Sequence, residues 1–139
     1  MLIGEKTAEN IKISIGNACP DLNKLEKIEA KGRDLASGIP KILSIDAEEI
    51  RVAISEQIDA ITETVKAVLE QIPPEFSSDI IERGMILTGG GALLKNLDKI
   101  LNEESGLPIT VIEDPLSSVA IGAGSVSENI ELFKKVITE

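Results

Sequence analysis

Residues 83–94, RGMILTGGGALL, join a short apolar run to three consecutive glycines and the start of a helical pattern. The run at residues 85–88 has the length and apolar character of a buried strand in a parallel sheet. The glycines remove side chains where the chain turns into an amphipathic helix that we expect to begin at Leu93. A second apolar run at residues 109–112 and a small-residue-rich helix at 119–130 follow. This order predicts an α/β lobe with parallel strands.

The residues before this lobe predict a long helix. Residues 46–72 begin with a capping-box pattern from Asp46 and Glu49 and end at a proline pair. The apolar residues of the helix recur every three or four positions and predict one core-facing stripe: Ile50, Ile54, Ile58, Ile61, Val65, Val68 and Ile72. We expect this helix to belong to the α/β lobe, which gives a second domain of residues 47–139.

The start of the chain predicts a smaller α+β subdomain, residues 1–46. Helical spacing at residues 7–15, with Thr7 as a possible cap, precedes two stretches with the pattern of strands. The strands are expected at residues 24–33 and 39–45, as a hairpin with a long connection.

Composition excludes several classes of function. The chain has 139 residues, and its 14 basic and 24 acidic side chains give a net charge of −10, a poor match to nucleic acid or an anionic membrane. It has no histidine and one cysteine, so His-based catalysis, an internal disulfide and a cysteine-cluster metal site are excluded. No apolar run approaches the length needed to cross a bilayer, and we expect a cytoplasmic protein.

The glycine turn at residues 89–91 has two interpretations. Bare backbone and N–H groups at a helix start would suit the polar atoms of a nucleotide. The same glycines would also suit a tight strand-to-helix turn that requires positive φ values. The spacing matches neither a Walker A loop nor the dinucleotide fingerprint, so the sequence pattern leaves both interpretations open.

The other candidate side chains have similar alternatives. Glu9 and Lys12 lie three apart on one helix face, where they could bind ribose and a base or simply form a solvated ion pair. Four carboxylates are candidate acids or magnesium ligands, although a charge pattern at a helix start is the commoner reason for such residues: Asp79, Glu82, Glu113 and Asp114. Cys19 has no neighbour that would activate it, and Lys95 and Lys99 are expected on a solvated face.

Five motifs, in this order along the chain, together resemble the C-terminal part of the MreB family of bacterial actin-like, rod-shape-determining proteins. They are residues 3–12 (IGEKTAENIK), 32–35 (GRDL), 73–75 (PPE), 83–94 (RGMILTGGGALL) and 113–116 (EDPL). Each motif is weak alone, whereas the ordered set is specific. The resemblance covers about residues 2–132.

This resemblance implies part of an actin-like, ribonuclease-H-like ATPase fold, in which ATP and magnesium occupy a cleft between two halves. The chain would supply most of subdomain IIB and the distal part of subdomain IIA. The implied adenosine-binding residues form two groups: Ala8, Glu9 and Lys12 on the first helix, and Gly89, Gly90, Gly91 and Ala92 as the opposing wall. A carboxylate suits ribose hydroxyl donors, and bare backbone suits a flat base.

The family's two phosphate loops and its water-positioning acid have no counterpart in this sequence. Phosphoryl transfer depends on those groups and on magnesium, so we expect no ATP hydrolysis by this chain alone and no magnesium ligands from it. The resemblance further implies filament formation, cell-shape and peptidoglycan-synthesis proteins as partners, and a cytoplasmic protein that associates with the membrane when full-length. From this part we expect no direct membrane contact and no nucleic-acid binding.

Two hypotheses follow. The chain is a fragment of an actin-like cytoskeletal ATPase, or it is a stand-alone, non-catalytic interaction module derived from such a lobe. A chaperone ATPase or sugar kinase lobe is disfavoured by the strings TGGGALL and EDPL. In either case an open sheet edge predicts a dimer or another homo-oligomer.

Overall fold

The computed structural model describes residues 1–20 and 26–137, and within these ranges it has six α-helices and four strands. The helices are α1 (Glu5–Ile15), α2 (Ala47–Glu70), α3 (Ser77–Arg83), α4 (Leu97–Ser105), α5 (Ser118–Glu128) and α6 (Ile130–Ile137). The strands are β1 (Lys27–Arg33), β2 (Pro40–Asp46), β3 (Met85–Leu87) and β4 (Ile109–Val111). Pro74–Phe76 and Gly90–Leu93 are short 3-10 turns. Residues 24 and 25, where the first strand was expected to begin, lie outside the described residues.

The first part of the molecule packs α1 on an antiparallel hairpin. β1 and β2 pair from Lys27 opposite Asp46 to Arg33 opposite Pro40, so the hairpin with a long connection is confirmed. Alternate β1 side chains turn toward α1, as the period of a strand requires. The buried residues here form one apolar cluster: Ile11, Ile15 and Ala30.

Helix α1 begins earlier than its sequence pattern indicates. Its first residue is Glu5, and the N-cap is Gly4, which provides no side-chain cap. Thr7 therefore lies inside the helix, and its predicted role as the cap is wrong. An acidic first turn, provided by Glu5, favours the helix start through the helix dipole without a capping hydroxyl.

Helix α2 connects two apolar clusters. Its capping box is confirmed, because the Glu49 N–H donates to Asp46 Oδ1 at 2.9 Å and the Asp46 N–H donates to Glu49 Oε2 at 3.0 Å. At its start, Ala47 and Ile50 pack against the α1–hairpin cluster. Further along, Ile58 is buried in a second cluster with α4. The division of the chain near residue 46 stays a prediction, because this helix contributes to both cores.

The predicted stripe on α2 is narrower than the sequence pattern suggests. Ile58 is 4% exposed, as the stripe predicts. Ile61 and Val68 are 43% and 55% exposed, so the predicted burial of these two residues is wrong. The elements packed on this helix are α1, β2 and α4, and they cover only one side of it. Thr62 is buried on the covered side, where its hydroxyl donates to the Ile58 carbonyl at 3.0 Å.

The second part confirms the parallel pairing expected from the apolar runs. β3 and β4 are parallel, with Met85 opposite Ile109 and Leu87 opposite Val111. Helix α4 packs on β4 and on α2. The cluster beneath it contains Ala18, Ile58, Leu97 and Leu101. In the described part of the chain, β3 and β4 pair with no other strand.

Two expectations for this part are wrong. Ile86 is 69% exposed, because neither α2 nor α4 covers that face of β3, so the strand is not wholly buried. The helix after the glycines begins at Leu97 rather than Leu93. The chain first makes the 3-10 turn, and Asn96 at φ 60° and ψ 16° then redirects the backbone into α4.

Two helices follow β4, and the first of them, α5, is the small-residue-rich helix expected at residues 119–130. Asn129, at φ −122° and ψ 41°, separates α5 from α6. The α5 side presents large apolar side chains to solvent, among them Leu116 and Val119 at 70% and 77% exposure. Of the helices that the structure describes, none is both long enough and apolar enough to cross a membrane.

Candidate functional site

The glycine turn combines one special backbone conformation with two ordinary ones. Gly89 has φ 81°, where a side chain would be strained, whereas Gly90 and Gly91 do not have positive φ values. The Gly89 N–H donates to the Pro115 carbonyl at 2.7 Å, and the Gly89 carbonyl accepts from the Ala92 N–H at 3.1 Å. A positive-φ turn therefore explains Gly89 and leaves the other two glycines to be explained.

The space beside these glycines is open. An added Cβ at Gly89 or Gly91 would meet no heavy atom within 4 Å, and one at Gly90 would reach only Leu116 Cδ2, at 3.4 Å. Ala92 differs from the three glycines, because it is 8% exposed and belongs to the underside of the turn. The surface left open at this turn is therefore the bare backbone of residues 89–91.

The loop after β4 holds the glycine turn from one side. The Thr88 hydroxyl donates to the Pro115 carbonyl at 3.2 Å and also contacts the Ser118 hydroxyl. The Ser118 hydroxyl in turn donates to the Asp114 and Pro115 carbonyls, at 3.1 Å each. These contacts lie at the carboxyl ends of β3 and β4, the edge at which open α/β sheets bind ligands.

One acidic residue of this loop makes a structural contact. Asp114 Oδ1 accepts from the Ser117 N–H at 3.2 Å, in the turn before α5, whose own first turn has no acidic residue. The interpretation as a charge at a helix start is confirmed instead for Asp79, in the first turn of α3. Among the described residues, no group of three or more histidine, cysteine, aspartate or glutamate side chains could hold a metal ion.

The second group of predicted site residues lies on the outer surface of α1. Ala8, Glu9 and Lys12 are all exposed, since Ile11 and Ile15 provide the buried side of the helix. Glu9 and Lys12 form none of the ion pairs found among the described residues, so the solvated pair considered for them is absent. Both side chains are therefore available to a ligand.

Sequence reasoning missed the contacts that join these two groups. We call residues 17–18 and 94–96 the clasp. The Ala18 N–H donates to the Lys95 carbonyl at 2.8 Å, and Asn96 Nδ2 donates to Asn17 Oδ1 at 2.8 Å. Lys95 Nζ donates to the Ser14 carbonyl, in the last turn of α1, at 3.0 Å.

The spacing of Lys95 and Lys99 predicts that both lie on a solvated face. Lys95 is half exposed, but its ammonium group has protein partners, so this prediction is wrong for Lys95. It also forms an ion pair with Glu26 at 3.1 Å. The only sequence signals of the clasp are two asparagines and a lysine, which are unremarkable without the fold. The clasp fixes the end of α1, which carries Glu9 and Lys12, beside the segment that follows the glycine turn.

Cys19 lies next to the clasp, and its surroundings disfavour the reactive thiolate. Its thiol donates to the Asn96 carbonyl, with Sγ at 3.6 Å. Burial raises the pKa of the Cys19 thiol, the carboxylates of Glu103 and Asp98 raise it further, and Lys99 opposes them. A raised pKa leaves little of the nucleophilic thiolate at neutral pH.

Comparisons with known proteins agree on one family. The family model described as MreB/Mbl protein matches residues 1–135. The cell shape-determining protein MreB of Escherichia coli is 51% identical over 131 residues, which are 94% of this chain and 38% of that protein. The cell shape-determining protein Mbl of Bacillus subtilis is 45% identical over 135 residues, 97% of this chain and 40% of that protein. The chain thus spans about two fifths of the length of these relatives.

Solved structures give the same result for the fold. MreB5 of Spiroplasma citri bound to ADP superposes with a TM-score of 0.87 and 36% identity, over 99% of this chain and 41% of that one. A non-polymerising MamK mutant bound to AMPPNP gives a TM-score of 0.64 over 83% of this chain and 34% of that one. At 18% identity, the second likeness concerns the fold alone.

Proposed function

The chain belongs to the MreB/Mbl family, and from this premise we propose that it is part of a bacterial actin-like cytoskeletal ATPase that forms filaments and controls rod cell shape and peptidoglycan synthesis. Its fold is part of the actin-like fold, as the motif resemblance implied. The proposal places the protein in the cytoplasm, with cell-shape and cell-wall-synthesis proteins as partners.

Within that ATPase, this chain carries the adenosine side of the nucleotide site. Glu9 binds the ribose hydroxyls, Lys12 and Ala8 line the base, and the backbone of residues 89–91 forms the opposing wall. The open space beside Gly89 and Gly91 carries this proposal, because it leaves room for a flat base against bare backbone. The ADP and AMPPNP in the MreB5 structures of Spiroplasma citri support it.

The chain alone holds adenosine without hydrolysing ATP. Magnesium, when bound, would supply part of the charge stabilisation that the phosphate groups require during phosphoryl transfer. The proposal assigns nucleoside binding and orientation to this chain. The acidic side chain of Glu9 suits the ribose because hydrogen bonds to a carboxylate are stronger than those between neutral groups.

Calorimetric titration with adenosine, and separately with ADP, tests the site. Replacing Glu9 by Gln removes the charge and keeps the shape, and we expect the dissociation constant to rise about tenfold or more. Glu5→Gln, in the first turn of the same exposed helix, is the matched control and should leave the affinity unchanged. Equal affinities for the Glu9→Gln variant and the unaltered chain would exclude the proposed ribose contact.

A specific observation also supports the homo-oligomer that either hypothesis predicts. Ile86, Leu116 and Val119 expose large apolar side chains, and β3 and β4 pair only with each other among the described residues. Unpaired strand edges and apolar surface both favour association with another chain. We propose that this chain forms a homo-oligomer through this face. A monomeric mass by light scattering at high concentration would contradict that.

A further inference from the structure

The clasp depends on the buried amide of Asn17. This residue is 8% exposed, and its Oδ1 accepts two hydrogen bonds, from the Cys19 N–H at 3.1 Å and from Asn96 Nδ2 at 2.8 Å. A buried amide oxygen with two donors has one well-defined orientation, since any rotation would leave both donors unpaired. Asn17 therefore fixes where residue 96 lies relative to the end of α1.

Asn96 is held by its backbone as well as its side chain. Its φ of 60° and ψ of 16° place it in the left-handed region, which asparagine tolerates better than most residues. Its carbonyl accepts from the Ile100 N–H at 3.2 Å, in the first turn of α4. The amide that reaches Asn17 thus extends from a rigid helix start.

Lys95 makes the second tie between the two elements. It donates to the carbonyl of Ser14, which lies two residues after Lys12, and its own position is three residues after Ala92. The positive charge of a lysine is also stabilised by the negative end of a helix dipole, which lies at the last turn of α1. Each half of the clasp therefore lies only a few residues along the chain from one proposed adenosine wall, and the contacts between the halves connect the two walls.

We propose that Asn17, Lys95 and Asn96 are positioning residues that set the spacing between α1 and the glycine turn, and with it the affinity for adenosine. The inference rests on the proposed function. None of the three needs to touch the ligand. Affinity for a nucleoside held between two walls falls when the walls lose their preorganised separation, because ordering them again opposes binding.

Adenosine is the probe, and calorimetric titration of the full 139-residue chain is the measurement. We expect Asn17→Ala to raise the dissociation constant about tenfold and Lys95→Met about threefold. Asn17→Asp keeps an acceptor oxygen for both donors and should restore most of the affinity. Asn102→Ala is the matched control, because it removes an amide hydrogen bond to the Leu107 carbonyl at the far end of α4.

The outcomes separate this inference from the proposed function. If the unaltered chain binds adenosine and Asn17→Ala binds it equally well, the clasp has no positioning role while the adenosine site stands. Equal losses for Asn17→Ala and Asn102→Ala would mean general destabilisation and would also overturn it. If Asn17→Ala fails to fold, as seen by circular dichroism, unchanged affinity of the exposed Lys95→Met variant overturns the inference instead. If the unaltered chain gives no binding heat with adenosine or with ADP, both the adenosine site and the positioning role of the clasp are contradicted.

Discussion

The glycine turns at the two ends of β3 differ in what fills the space beside their backbones. At Gly84, with φ 71°, an added Cβ would lie 2.0 Å from the Pro108 carbonyl oxygen. That oxygen also accepts the Met85 N–H at 2.8 Å, so it cannot move without loss of the parallel pairing. At Gly91, after the strand, an added Cβ would meet nothing within 4 Å.

The difference separates glycines that the fold requires from glycines that it does not. Gly84 is required twice, by its φ value and by the close approach of residue 108. Gly89 is required once, by its φ of 81°. Gly90 and Gly91 have ordinary backbone angles and room for a methyl group, so the packing of the described chain does not explain them. A ligand on that backbone would explain them.

The largest effect is expected at the filled turn. Gly84→Ala combines a strained φ with a backbone overlap, and we expect it to lower the free energy of unfolding by about 2–4 kcal/mol. Urea unfolding followed by circular dichroism measures this. Gly106→Ala is the matched control, because Gly106 has φ 70° and open space, and it should cost about 1 kcal/mol. Equal losses would mean that the overlap at residue 84 relaxes freely.

The open turn should give the opposite result. Gly91→Val should change the free energy of unfolding by less than about 0.5 kcal/mol, because the residue is exposed and an added Cβ would meet no neighbour within 4 Å. The same variant should raise the dissociation constant for adenosine about tenfold or more, because its methyl groups occupy the proposed base-binding surface. Calorimetric titration beside the unaltered chain measures the affinity. Unchanged affinity would exclude residues 89–91 as a wall of the site.

Most of the fold could be predicted because its signals are local. The capping box at Asp46 and the alternating pattern of β1 depend on residues a few positions apart. The errors arise where distant packing decides. The exposure of Ile61 and Ile86 depends on which faces other elements cover, and the start of α4 depends on the left-handed Asn96.

The candidate site was predictable only in part, and for the same reason. The motif resemblance points to Glu9 and to the glycine turn, because those residues lie in recognisable strings. The clasp connects residues 17 and 96, which no local pattern relates. The interpretation of Lys95 as merely solvated fails because its partners lie 81 and 69 positions away along the chain.

A smaller effect is expected where the loop after β4 supports the open turn. Thr88→Val keeps the shape and removes the hydroxyl that bonds to Pro115 and contacts Ser118. We expect a loss of about 0.5–1 kcal/mol in unfolding free energy, because one exposed hydrogen-bonding group is removed. Thr64→Val removes a hydroxyl bond within exposed helix α2 and serves as the control. If both variants unfold alike, the tie between the two loops contributes nothing beyond an ordinary helix-surface bond.

The smallest effect concerns a third turn, the hairpin connection, which combines a positive-φ glycine, Gly38, with a carboxylate that accepts backbone N–H groups. The N–H groups of Ser37 and Ala36, and then the Lys41 ammonium, hold the pKa of Asp34 below its ordinary range. A lowered pKa in the folded state adds stability above the unfolded pKa, near pH 4, and that stability is lost as the pH falls through the folded value.

Asp34→Asn should therefore unfold at a lower urea concentration than the unaltered chain at pH 7, and the two should converge as the pH falls below about 4. Asparagine retains an acceptor for the backbone N–H groups, so the difference isolates the charge and stays small on this exposed turn. Asp59→Asn, on the exposed side of α2, controls for the change in net charge. A difference that persists undiminished at low pH would mean that shape, not charge, holds this turn. The hairpin connection would then resemble the turn at Gly84, where the fit of the chain to itself decides stability.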